Sequence, residues 1–139
     1  FSEAQVARAR EIMAELGIES LAGRRFGHLS TGEQRRFLLG RALVHDTGAG
    51  ACILCHTTPD NPLPVAGNVG PPLAGVGARM NAGQMRLRLV DSTRINRASI
   101  MPAYYRVDGF SHVASNYAGK PLLSAQQVED MIAYLLTLR

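Results

Sequence analysis

Cys52-Ile53-Leu54-Cys55-His56 restricts this chain more than any other stretch. Two cysteines three positions apart, with a histidine directly after the second, form the pattern of a c-type haem attachment site. The spacing suits the chemistry. Thiols one helical turn apart can each add to one vinyl group of the porphyrin, and the adjacent imidazole then lies over the iron as its proximal ligand. Other uses of the pair fit less well. A structural zinc site takes about four ligands, and the chain has no further cysteine. A redox dithiol has no need of the histidine that follows. Covalent haem also changes what the remaining residues must do, because a large apolar ring can fill an interior that loops alone could not.

The chain has 139 residues, which points to one domain with room for an appendage. Hydrophobic residues make up 46%, enough to exclude a disordered class. No apolar run approaches the roughly 18 residues needed to cross a membrane. Fifteen Lys and Arg stand against 11 Asp and Glu, a net +4 that is spread along the chain instead of forming a basic tract, so nucleic acid is a poor candidate partner. The sequence opens at Phe1 with neither an initiator Met nor an export signal, and is expected to be a fragment or a processed product.

Helical periodicity divides the chain. Val6, Ala9, Met13 and Leu16 predict a helix over 4–16 that stops at Gly17. Ser30 and Glu33 have the S-x-x-E spacing of a capping box and open a second helix, with apolar positions at Leu38, Leu39, Ala42 and Leu43 and an end at Thr47-Gly48. After the Cys-His motif, Thr57 to Gly77 is rich in Pro and Gly and reads as loop. Asn81 to Ile95 read as a short helix, though the alternation over 86–90 also suits a strand. Ser124 and Gln127 form another capping box, and Val128, Met131, Ile132, Leu135 and Leu138 give the last helix its buried stripe. Tyr134 is expected to pack near Gly40, joining the two terminal helices of the haem unit.

A sixth ligand for the iron is expected from Met101. Pro102 biases it toward an extended backbone, so its thioether can project from a loop. Met13 and Met131 fall in amphipathic helices and read as core. Met80, Met85 and His112 stay open as alternatives, while His28 and His45 lie in the appendage or the helix before the motif.

Two resemblances follow from longer stretches. Leu29-Ser30-Thr31-Gly32-Glu33-Gln34-Arg35-Arg36, continuing to Asp46, resembles the signature motif of ABC-transporter ATPases. No G-x-x-x-x-G-K-[ST] loop accompanies it; Gly119-Lys120 is followed by Pro121 and lacks the upstream glycine, so an independent ATPase is excluded. From about Gly40 to Arg139 the chain resembles SoxX, the monohaem subunit of the SoxAX cytochrome of bacterial sulfur oxidation. The residues that carry this are Gly50-Ala51 with the Cys-His motif, Gly67 to Arg79, Ile100-Met101-Pro102-Ala103-Tyr104-Tyr105-Arg106, and the helix from Leu123 to Leu138.

The SoxX resemblance implies an all-α, class I cytochrome c-like fold wrapped around one covalent haem c. A helical extension over 1–36 would precede a cytochrome domain over 37–139. Cys52 and Cys55 would attach the haem, with His56 proximal and Met101 distal. In class I cytochromes c a turn similar to Gly70-Pro71-Pro72-Leu73 lets a proline carbonyl accept a hydrogen bond from the proximal histidine, a role that would fall to Pro71; an ordinary structural turn is the alternative. Tyr104, Tyr105 and Arg106 would line the haem edge or a subunit interface, with simple packing as the alternative for both tyrosines. The resemblance further implies a periplasmic location and a SoxA-type partner. It implies a carrier of the SoxYZ type, to whose cysteine thiosulfate is joined by an L-cysteine S-thiosulfotransferase with its bond-forming site on SoxA, and a soluble cytochrome that takes the electrons. A free-standing class I cytochrome c shuttle and a recombined fragment with no function as a unit are the competing readings.

Overall fold

The computed structural model describes residues 30–60 and 67–139. The expected helix over 4–16, with Met13 and His28, lies outside the described residues, as does most of the approach to the ABC-like stretch. Among the described residues the secondary structure is helical, with no strand.

Helix α1 spans Thr31–His45. Ser30 caps it in the predicted way: Glu33 N–H donates to the Ser30 hydroxyl at 3.3 Å, and Ser30 N–H donates back to Glu33 Oε2 at 2.8 Å. Such a cap is worth about 1 kcal/mol. The helix ends at His45, short of the expected Thr47-Gly48, because Asp46 turns extended and its carboxylate accepts from Ala49 N–H at 2.5 Å. It buries Gly40 and Val44, while Leu38 and Leu39, expected on the apolar side, stand 54% and 43% exposed. The reason is geometric: α1 meets its neighbour through its smallest residue, and the bulky pair is turned away.

That neighbour is α4, Ala125–Leu135, capped by Ser124 and Gln127 as predicted. A Cβ on Gly40 would collide with the backbone carbonyl of Asp130 and lie 3.0 Å from Tyr134 Cβ. Glycine is therefore what lets the two helices touch. Val128, Met131, Ile132, Tyr134, Leu135 and Leu138 are all buried, so the predicted stripe is the core. Fully burying each large apolar side chain contributes about 1.5–3 kcal/mol.

Two shorter helices close the other side. Helix α2 is Val76–Arg79, tied to the C-terminus by Gly77 N–H donating to Leu138 O at 2.8 Å. Helix α3 is Ala82–Asp91, capped by Asn81 and Gln84, and it runs into a 3-10 turn over Ser92–Arg94. The region with ambiguous alternation is thus helical, with Met85 and Leu89 buried four residues apart. Tyr104 locks the later chain onto this frame. Its N–H donates to Leu89 O at 2.9 Å, its carbonyl accepts from Leu123 N–H at 3.0 Å, and its buried hydroxyl donates to Gly50 O at 2.6 Å. From Tyr105 to Leu122 the chain is largely exposed loop.

A buried polar cluster joins α1, α4 and the loop behind the Cys-His motif. The Asp60 carboxylate is fully enclosed; it accepts from Arg41 Nε at 2.8 Å and from the Tyr134 hydroxyl at 2.5 Å, with His45 Nε2 at 3.3 Å. His45 Nδ1 donates to Arg41 O at 2.8 Å. Burial pushes the Asp60 carboxyl up, but the bonds from His45, Tyr134 and Arg41 outweigh it and hold the group at about 2. The hydrogen bond to Asp60 in turn raises His45, against the opposing effect of burial.

Candidate functional site

The Cys-His motif folds as a tight 3-10 turn over Cys52–Leu54, entered through Ala51 at φ 53°. Cys55 N–H and His56 N–H both donate to Cys52 O, at 3.1 and 2.8 Å. Cys52 is buried and Cys55 half-buried.

The chain after the motif returns and runs beside it. Gly67 N–H donates to Ile53 O at 2.9 Å, Gly70 N–H to Cys55 O at 2.7 Å, and Leu73 N–H to Thr57 O at 2.9 Å. This register delivers the Pro71 carbonyl to His56, whose Nδ1 donates to it at 2.6 Å. A Cβ on Gly70 would strike the His56 ring, 2.6 Å from Nδ1 and 2.8 Å from Nε2, so the ring's seat requires glycine there. With its proton on Nδ1, the neutral imidazole keeps the Nε2 lone pair free as a metal donor.

A cavity of about 630 Å³ opens over this imidazole. Cys52, Cys55, His56, Pro71 and Met101 all line it, so the five expected site residues come together. The Met101 loop is held by its backbone: Ser92 Oγ donates to Met101 O at 2.9 Å, and Met101 N–H donates to Ser99 Oγ at 3.3 Å. Met80 and Met85 share the wall, but Met80 Sδ accepts from Arg88 Nε at 3.1 Å and Met85 is 2% exposed in the core. His112 does not line the cavity; it lies in the exposed loop at φ 62°. His45 belongs to the Asp60 cluster and Met131 to the core.

Of the three residues expected at a haem edge or interface, only Tyr104 lines the cavity. Tyr105 is 42% exposed, and Arg106 pairs with Asp91 at 3.0 Å. Sequence reasoning missed Arg79 and Arg88 in the wall and Ser92 behind Met101. Helical spacing carried a signal for two of them. Arg88 and Ser92 lie three and seven residues after Met85, alongside the buried Met85–Leu89 stripe.

The wall is mainly apolar, and its volume falls in the range of about 300–1,000 Å³ usual for ligand sites. Two thiols and an imidazole with a fixed tautomer enter it from the Cys-His turn, and a thioether enters from the Met101 loop. That donor set fits a covalently held haem and points to a c-type cytochrome. A profile of the cytochrome c family matches residues 38–139. The chain belongs to that family, whose members carry covalent haem c and transfer electrons. The fold is also similar to that in the crystal structure of SoxXA from P. pantotrophus, with a TM-score of 0.65 and 33% sequence identity over 73% of this chain and 80% of that one. It is a SoxX-like cytochrome subunit. No match was found among curated proteins. Among the described residues no helix is long and apolar enough to cross a membrane.

Proposed function

We propose that this chain is the electron-transfer subunit of a periplasmic, thiosulfate-oxidising complex of the SoxAX type, with residues 37–139 as its cytochrome unit and 1–36 as an extension. Joining thiosulfate to a carrier cysteine forms one S–S bond and releases two electrons, carrier-S⁻ + ⁻S–SO₃⁻ giving carrier-S–S–SO₃⁻ + 2 e⁻. The bond forms on a SoxA-type partner acting on a SoxYZ-type carrier; this subunit receives the electrons and hands them to a soluble cytochrome. Haem c supplies one-electron exchange at its iron.

The chain's own residues hold and tune that centre. Cys52 and Cys55 would attach the ring from the 3-10 turn, and His56 would offer Nε2 to the iron. Pro71 fixes the imidazole's tautomer and angle by accepting from Nδ1, which makes Nε2 a stronger donor. Met101 would offer its thioether to the iron from its own loop, a ligand that would raise the potential relative to a harder donor. The 2.6 Å bond between His56 and Pro71, inside a cavity shared with both thiols and Met101, carries the reading.

The test has two parts. Matured in a host that attaches haem c, the wild-type protein should show a covalent haem spectrum with a far-red Met–Fe(III) band, and Met101→Ala should lose the band and keep the haem. Mixed with a SoxA-type subunit, the holoprotein should co-elute as a stable heterodimer. Only transient binding would favour a free-standing shuttle, and absence of covalent haem in the wild type would remove the reading altogether.

A further inference from the structure

Both main-chain polar groups of Met101 are held by serine hydroxyls. Ser92 Oγ donates to its carbonyl at 2.9 Å, and its N–H donates to Ser99 Oγ at 3.3 Å. The segment 92–101 is therefore closed on itself, its first side chain gripping the carbonyl of its last residue. Other bonds shape the loop from within. Ser92 O accepts from Ile95 N–H and Asn96 N–H at 3.0 and 3.1 Å, Asn96 Oδ1 from Ala98 N–H at 3.0 Å, and Asn96 O from Ser99 N–H at 2.9 Å. The neighbours of Met101 add little hold: Ile100 is 80% exposed, and Pro102 has no N–H to donate. The next tie to α3 comes at Tyr104, whose N–H donates to Leu89 O.

Ser92 is itself firmly placed. It is buried, lines the cavity and opens the 3-10 turn at the end of α3. Asp91 braces that turn: its Oδ1 accepts from Thr93 N–H at 3.1 Å and its Oδ2 from an Arg106 terminal nitrogen at 3.0 Å. A hydroxyl has one proton to give, and that of Ser92 goes to Met101 O. We propose that Ser92 is the positioning residue for the distal ligand: its hydroxyl, with that of Ser99 on the other side of Met101, keeps the thioether on the iron. The assignment rests on the cytochrome reading, with haem in the cavity and Met101 as its sixth ligand. An iron–thioether bond made from a loop lasts only as well as the loop is held, because ligand and loop leave together. Removing one neutral hydrogen bond should raise the population of the open loop about fivefold.

The experiment compares haem-loaded wild type with Ser92→Ala, Ser99→Ala and Ser124→Ala. Ser124 is the control: its hydroxyl also accepts a backbone bond, from Gln127 N–H at 3.2 Å, but it caps α4 and does not line the cavity. Imidazole is titrated into the ferric proteins while the far-red Met–Fe(III) band is followed, and thermal midpoints are measured alongside. Ser92→Ala should lower the imidazole concentration that half-bleaches the band about fivefold, and should raise the limiting bleaching rate at saturating imidazole. Ser99→Ala should shift both the same way but less, because its bond is longer. Ser124→Ala should lower the thermal midpoint and leave the imidazole titration at wild type. A half-bleaching concentration in Ser92→Ala within about twofold of wild type, or a shift matched by Ser124→Ala, overturns the assignment. Should Ser92→Ala fail to acquire haem, Ser99→Ala decides by the same shift. A wild type with covalent haem and no far-red band would overturn Met101 ligation and this assignment together. Absence of covalent haem in the wild type would instead remove the cytochrome reading, so the failures are distinguishable.

Discussion

Replacing Asp60 with Asn should cost this protein more stability than any other single polar change in the cytochrome unit, and the cost should depend on pH in a specific way. Asp60 is the one anion among Arg41, His45, Tyr134 and Thr58, and it ties α1 and α4 to the loop behind the Cys-His motif. Its carboxyl is lowered from 3.8 to about 2. At about 1.4 kcal/mol per pH unit, that difference means the ionised group stabilises the fold by about 2 kcal/mol. Asparagine loses this and also turns an amide N–H₂ toward either the Arg41 or the Tyr134 donor, which brings the expected loss to about 3 kcal/mol. The sign follows from the depressed folded value: the stabilisation is complete above pH 3.8 and disappears as pH falls toward 2. Urea unfolding of the two haem-loaded proteins, followed by far-UV circular dichroism at pH 7, 5 and 3, measures the gap between them. The gap should be about 3 kcal/mol at pH 7 and 5 and clearly smaller at pH 3. A gap below about 0.5 kcal/mol at pH 7, or one that does not narrow in acid, would refute the argument.

Gly40→Ala should destabilise the holoprotein by about 2–3 kcal/mol, seen as a lower thermal midpoint, because the new Cβ meets the Asp130 carbonyl and the helices must separate. Gly70→Ala should leave the haem attached but tilt His56 and weaken its bond to Pro71, making Nε2 a weaker donor to the ferric iron, raising the midpoint potential and perturbing the Soret band without comparable loss of helix. For His45 the sign is opposite to that of Asp60. Its raised value means stabilisation that is complete below pH 6.5 and lost as pH rises through the folded value, so wild-type stability should fall above neutral pH and His45→Gln should flatten that limb in a urea series.

What could be read in the sequence was local. A cap needs two residues three apart, so the Ser30–Glu33 and Ser124–Gln127 boxes were visible in the chain, and both formed. The Cys-His motif likewise spans five residues, and a stripe at helical period declares its buried face whatever covers it, as in α4. Even the approach of Tyr134 to Gly40 could be anticipated, because a glycine inside a helix invites a close neighbour.

Matters of direction and distance needed the folded chain. Leu38 and Leu39 are as apolar as Val44, and only the docking of α4 on Gly40 decides which of them is buried. Met80, Met85, Met101 and His112 could all be weighed as ligands on paper; the structure puts the three methionines at one cavity and leaves the histidine in an outer loop, with Met80 engaged by Arg88 and Met85 in the core. Asp60 looks like a loop residue in the sequence, yet partners 15, 19 and 74 positions away make it the buried tie of three segments. The sequence by itself determined the chemistry the chain carries, since that resides in residue types and short spacings. The tertiary structure decided which of those groups share a space, because contacts between distant segments depend on how helices pack and not on any pattern within one of them.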